Sequence, residues 1–128
     1  MLTGVGHSFI EVDHRVVGRF KLYAEEADEF LFCDNETNFE RLHGSANLSH
    51  FTKDGINDYV VNKSKHAVNP NHIGTKASVR YSAKIPAGGK KVFRLRLTNL
   101  TLREPFADFD EIFAARLKDA DDFYADLQ

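Results

Sequence analysis

The sequence predicts a mainly β fold: an antiparallel β-sandwich, incomplete in its strand set if the chain is a fragment, followed by a long amphipathic helix at the carboxyl end. Three observations predict it. Apolar and polar residues alternate through Arg19 to Ala24, Ala77 to Ile85 and Phe93 to Leu97. The run Phe30, Leu31, Phe32, Cys33 is apolar throughout. After Pro105 the apolar period lengthens from two to about 3.6.

The first element is a short half-buried strand from Phe9 to Asp13, with Ile10 and Val12 on one side and Glu11 and Asp13 on the other. It suits an edge. From Arg19 to Ala24, Phe20, Leu22 and Ala24 share the face expected to point inward, opposite Arg19, Lys21 and Tyr23. The acidic connection Glu25, Glu26, Ala27, Asp28 leads to the strand Phe30 to Cys33, buried on both faces, and the two strands are expected to form a hairpin. A second hairpin is clearer. Ala77, Val79, Tyr81, Ala83 and Ile85 alternate with Ser78, Arg80, Ser82 and Lys84 until Pro86-Ala87-Gly88-Gly89, and Phe93, Leu95 and Leu97 then alternate with Arg94 and Arg96.

Between the hairpins, Asp34 to Thr75 is polar and without period, interrupted only by Tyr59, Val60 and Val61. A structureless connection of that length is uncommon in a compact domain. It either holds short elements or covers another surface, and the second is the expectation. The final element is a helix with Phe106, Phe109, Phe113, Leu117, Ala120, Tyr124 and Leu127 on one stripe, opened by Asp108 and Glu111 as a capping-box variant. A stripe of about six turns exceeds what the end of a small sandwich covers, so part of it is expected to face a neighbour. Residues 1–104 therefore read as the sandwich domain and 105–128 as a helix linking to a further domain.

Composition excludes several function classes. The 128 residues suit one hydrophobic core, supplied by 42% hydrophobic residues and eleven phenylalanines. A net charge of −2 and a pI near 6.3 lack the basic excess of a nucleic-acid-binding domain. No apolar run is long enough to span a bilayer, and residues 1–6 carry neither a basic nor an apolar leader region. The single cysteine, Cys33, permits no intrachain disulfide and fits a reducing, cytoplasmic setting; without an export signal the sequons at Asn35, Asn47, Asn62 and Asn99 read as chance.

Candidate chemistry is sparse. The carboxylates at Asp108, Asp110, Glu111, Asp119, Asp121, Asp122 and Asp126 offer helical spacings that suit a glycosidase pair, yet they lie on the polar side of the stripe and read as a solvated face. None of His7, His14, His43, His50, His66 and His72 pairs with another at i, i+4, so no metal ligand set and no cofactor is expected. Cys33 reads as a small buried hydrophobe. The block Asp34 to Arg41 holds the candidate substrate-binding residues: Asn35, Glu36, Asn38 and Arg41 as polar contacts to sugar hydroxyls, and Phe39 as a stacking ring. Asx-rich turns use the same residue types.

Several blocks, in order, carry a resemblance. The runs Leu31 to Leu42, Ile56 to Val61, Ala67 to Pro70, Gly74 to Ala77, Phe109 to Arg116 and Ala120 to Tyr124 resemble the amino-terminal region of bacterial glucosidases similar to the processing α-glucosidase (mannosyl-oligosaccharide glucosidase) family of glycoside hydrolases. That resemblance implies a β-sandwich preceding an (α/α)6 toroid in which the catalytic carboxylates lie, so no catalytic residue is carried over. It implies a noncatalytic domain that supports the toroid and lines its substrate entrance, with the toroid and an oligosaccharide as partners. The alternative is a stand-alone carbohydrate-binding module. Exposed edges or the helix would also accept a second copy as a homodimer, while nucleic acid and membrane are not expected partners.

Overall fold

The computed structural model describes residues 1–5 and 9–127. His7, among the histidines, and Gln128, at the end of the expected helix, lie outside them. In chain order the elements are β1 (Leu2–Val5), β2 (Phe9–His14), β3 (Gly18–Ala24), β4 (Glu29–Cys33), α1 (Phe39–His43), α2 (Gly55–Asn62), a 3-10 turn (Lys65–Ala67), β5 (Ile73–Gly74), β6 (Lys76–Arg80), β7 (Leu95–Thr98) and α3 (Phe109–Ala125). The strands form two antiparallel sheets: a larger one in the order β5-β1-β2-β3-β7, and a smaller one of β4 and β6.

β2 and β3 form a hairpin with His14 opposite Gly18. The turn closes locally, because the Val16 and Val17 amides both donate to His14 Nδ1 at 3.2 and 3.3 Å. Gly18, at φ +88°, takes the left-handed position that such a turn demands.

The expected hairpin of β3 with the next strand does not form. β7 occupies the free edge of β3, from Lys21 opposite Thr98 to Ala24 opposite Leu95, and the Glu25 amide extends the pairing to the Arg94 carbonyl. Glu25 to Asp28 instead carry the chain across to the smaller sheet. β4 is apolar on both faces, and Phe30 to Cys33 are all buried there.

The second expected hairpin is also corrected. The Pro86 to Gly89 turn exists, with the Gly89 amide donating to the Pro86 carbonyl at 2.9 Å. Its two arms nevertheless belong to different sheets: β6 pairs with β4, β7 pairs with β3, and no ladder joins them. The strands are correspondingly shorter than their alternating patterns.

Ile10, Ala24, Phe30 and Phe32 form the core cluster, with Leu2, Leu22, Ala27, Ala77, Val79 and Tyr81 packed around it, so both sheets contribute their inner faces. Phe32 is fully buried, at 0% exposure. β1 comes close above it, since a Cβ on Gly4 would lie 3.2 Å from the Phe32 ring. β3 buries Tyr23 as well as Ala24, which the single inward face did not anticipate. Tyr23 packs on Phe9 with ring centroids 5.2 Å apart, and its hydroxyl accepts from the Leu102 amide at 3.0 Å.

The polar stretch 34–75 holds α1, α2, the 3-10 turn and β5, against the expectation of a structureless cover. Short helices of one or two turns leave too few apolar positions to show a period. α3 forms where the period of 3.6 places it, but its expected capping box does not. Asp108 makes no side-chain cap hydrogen bond, because its carboxylate pairs with the Arg96 guanidinium, which also donates to the Pro105 carbonyl at 2.9 Å. No residue of α3 is buried. No described helix is long and apolar enough to cross a membrane.

Candidate functional site

Asp34 anchors the segment between the sheets. It follows β4, where its amide donates to the Phe51 carbonyl at 2.7 Å, its Oδ1 accepts from the Thr75 amide at 3.2 Å, and Ser49 Oγ donates to its Oδ2. The adjacent Asn35 amide donates to Thr75 Oγ1 at 2.8 Å. Both ends of the stretch are therefore fastened to one point, and α1 and α2 are displayed from it.

Asn38 caps α1: its Oδ1 accepts from the Arg41 amide at 3.0 Å and from Asn47 Nδ2 at 3.1 Å. Its Nδ2 donates to both oxygens of Asp54, the residue that precedes α2. Asp54 also accepts from Thr52 Oγ1 at 2.7 Å and from Arg41 Nη1 at 3.1 Å, and Arg41 lies 3.5 Å from Asp58. Burial raises the Asp54 carboxyl, but the hydrogen bonds from Thr52, Asn38 and Arg41 together hold it below the usual aspartate range. This network fixes α1 against α2.

Of the five sequence candidates, Asn38 and Arg41 are thus brought together, although their polar groups are spent on internal bonds. Asn38 lines an open cleft of about 630 Å³ with Glu40, Asn47, His50, Asp58 and His66. Arg41 faces a different, smaller hollow, which Asn38 also lines, with Thr37, Leu42 and Lys53. Asn35 and Glu36 are exposed, and Phe39, also exposed, packs on His43 with centroids 5.9 Å apart. The five do not converge on one pocket.

A second cleft, of about 390 Å³, combines apolar walls from Phe30, Leu31, Val68 and Pro70 with polar groups from Glu29, Tyr59, Lys65, Asn69 and His72. Tyr59 donates to Glu29 Oε1 at 2.6 Å, and Arg80 pairs with the other oxygen. Burial alone would raise the Glu29 carboxyl; the bonds from Tyr59 and Arg80 outweigh it and lower it. The same bond, with burial, raises the Tyr59 hydroxyl. A carboxylate held ionised in this way does not serve as a general acid near neutral pH. His72 adopts φ +55°, and its ring meets Phe32 edge-on at 5.8 Å. The residue reading missed this cleft, because its residues come from β4, α2 and the turn before β5. Its trace in the sequence was that Leu31, Tyr59, Val68, Asn69 and Pro70 fall within the resemblance blocks.

Cys33 is buried, and burial pushes its thiol up, as suits a packing residue. On α3 the acidic residues lie in solvent, with Asp119 paired to Arg116 and Asp122 to Lys118. Among the described residues no group of three or more His, Cys, Asp or Glu side chains is placed to hold a metal ion.

No family model and no solved structure matches the chain. Among curated proteins it is similar to Uncharacterized protein YMR196W of Saccharomyces cerevisiae, with 38% identity over 106 residues, covering 73% of this chain. The chain spans about a tenth of the length of that yeast protein, 10% by coverage.

Proposed function

We propose that the chain works as a noncatalytic β-sandwich domain within a larger glycoside hydrolase of the α-glucosidase type, acting on oligosaccharides. In this reading the two sheets are the layers of the sandwich, α3 docks on a catalytic (α/α)6 domain, and the segment 34–75 borders the substrate entrance. The observation that carries it is α3, a helix of 17 residues with no buried side chain and with Phe113 and Leu117 exposed at 61% and 65%. An exposed apolar stripe of that length marks a surface that another element covers. The match to about a tenth of a long yeast protein supports a role as one part among several. The glycosidase element rests on the resemblance blocks, and a cytoplasmic setting rests on the single, buried Cys33.

The purified chain is expected to hydrolyse no aryl α-glucoside above the buffer rate. Turnover abolished by a point substitution within residues 1–128 would refute the noncatalytic role. A second reading, a stand-alone sugar-binding module, is favoured by the two clefts, whose volumes of about 630 and 390 Å³ suit a short oligosaccharide. Titration with glucose disaccharides, followed by amide chemical shifts, separates the two readings. A module shifts the residues around Asn38 or Tyr59, whereas a supporting domain leaves them still.

A further inference from the structure

The smaller sheet is too narrow for the larger one beneath it. Residues directly opposite in an antiparallel pair point to the same face, so Leu95 and Leu97, opposite Ala24 and Leu22, belong to the core face of the larger sheet. Ala24 is buried there, yet Leu95 and Leu97 remain 45% and 62% exposed. On the opposite face the segment leading to α3 packs over Tyr23 and Arg96. The inner face is therefore buried at Ile10 and Ala24, half-buried over the rest of β2 and β3, and bare over β7.

The bare strip lies beside an open backbone edge. The Phe32 carbonyl accepts from the Asn69 amide at 2.8 Å and the Asp34 amide donates to the Phe51 carbonyl, so the even-numbered residues of β4 turn their backbone groups away from β6. By the same alternation Ala77 and Val79, opposite Phe32 and Phe30, turn theirs away from β4, onto an edge that no strand occupies. β4 sits on the β1–β5 side, as the contacts of Gly4 with Phe32 and of Gly74 with Cys33 require, which leaves the free edge of β6 on the β7 side. Nearby, the enclosed Tyr81 hydroxyl has no hydrogen-bond partner among the described residues.

We propose that an extended segment of a partner polypeptide, alternating apolar and acidic side chains, adds to the edge of β6 as a third strand and covers Leu95 and Leu97. The backbone groups of Ala77 and Val79 give the pairing, and the apolar side chains of the added strand meet the bare strip. Its carboxylates meet the exposed Lys84, Lys90 and Lys91 on the loop between β6 and β7. A second copy is a poor occupant. Antiparallel pairing of two β6 edges sets Lys76 against Arg80, and it places both larger sheets on one side, where each β7 already projects past β6. The proposal does not depend on the carbohydrate reading.

Amide hydrogen exchange of the full chain tests it, with a short synthetic peptide alternating valine and glutamate as the probe. The Ala77 and Val79 amides, which no strand pairs with, are expected to slow by roughly tenfold or more on adding the peptide, with chemical-shift changes at the Leu95 and Leu97 methyls. A peptide alternating valine and lysine is expected to give neither. Val79→Pro removes one outward donor at a position where an edge strand tolerates proline, and it should abolish the protection while leaving the β4 amides slow. Leu97→Asp, at an exposed site, provides the same test should the proline variant fail to fold. The proposal is overturned by no slowing with the acidic peptide, by equal slowing with the lysine peptide, or by slowing that survives both substitutions. Self-association that protects the β6 amides without peptide overturns it too.

Discussion

Asp54 shows how residues expected to serve sugar chemistry can be absorbed by architecture. Asn38 and Arg41 carry the donors that a hydroxyl-rich ligand would need, but both direct them at the Asp54 carboxylate. Asp54→Asn is expected to lower stability by about 1–3 kcal/mol at neutral pH, read from the urea midpoint, because it weakens charge-assisted bonds at a half-buried site. The pH dependence follows from the lowered carboxyl. Between the depressed folded value and the ordinary aspartate value near about 3.9, the unfolded chain binds more protons, so stability falls as the solution is acidified through that window. The deficit of the variant should therefore be full above the window and shrink below it. A deficit that is constant from neutral pH down to strong acid would show that the charge is irrelevant.

At the scale of the element, α3 is secured only at its start. Arg96 holds Asp108 and the Pro105 carbonyl, Arg94 reaches Asp110 at 3.3 Å, and the Arg94 guanidinium lies 5.3 Å from the Phe109 ring. Beyond Phe113 no described contact with the sheets buries a side chain. Leu117→Asp is accordingly expected to change the unfolding free energy of the isolated chain by no more than about 0.5 kcal/mol. Phe32→Ala, which empties the centre of the core, should cost about 3–5 kcal/mol in the same assay. A loss above about 2 kcal/mol for Leu117→Asp would mean that the chain covers its own stripe.

Across the whole molecule, the two sheets are held together where backbones nearly touch. A Cβ at Gly74 would lie 2.2 Å from the Cys33 carbonyl oxygen, a rigid backbone atom, whereas one at Gly4 would meet the His72 and Phe32 side chains at 3.1 and 3.2 Å. Gly74→Ala must therefore push β5 off β4 and is expected to cost about 2 kcal/mol or more. Gly4→Ala should cost clearly less, since side chains yield where a main chain does not. Thermal melts of the two variants check the order, and equal losses would contradict this account of the joint.

The sequence by itself determined which segments are strand and which is the long helix, wherever a period or an unbroken apolar run registers: β2, β3, β4, the parts of 77–85 and 93–97 that became β6 and β7, and α3. It also marked β4 as buried on both faces, as Phe30 to Cys33 are. Only the tertiary structure decided which strand pairs with which. Alternation fixes the face of a side chain but not the neighbour across the backbone, so β3 and β4, and β6 and β7, look like hairpins in the sequence and lie in different sheets in space. The clefts were illegible for a related reason. Tyr59, Asn69 and Glu29 meet because the short helices of 34–75 fold back onto β4, and one- or two-turn helices held by polar side chains leave no period to read.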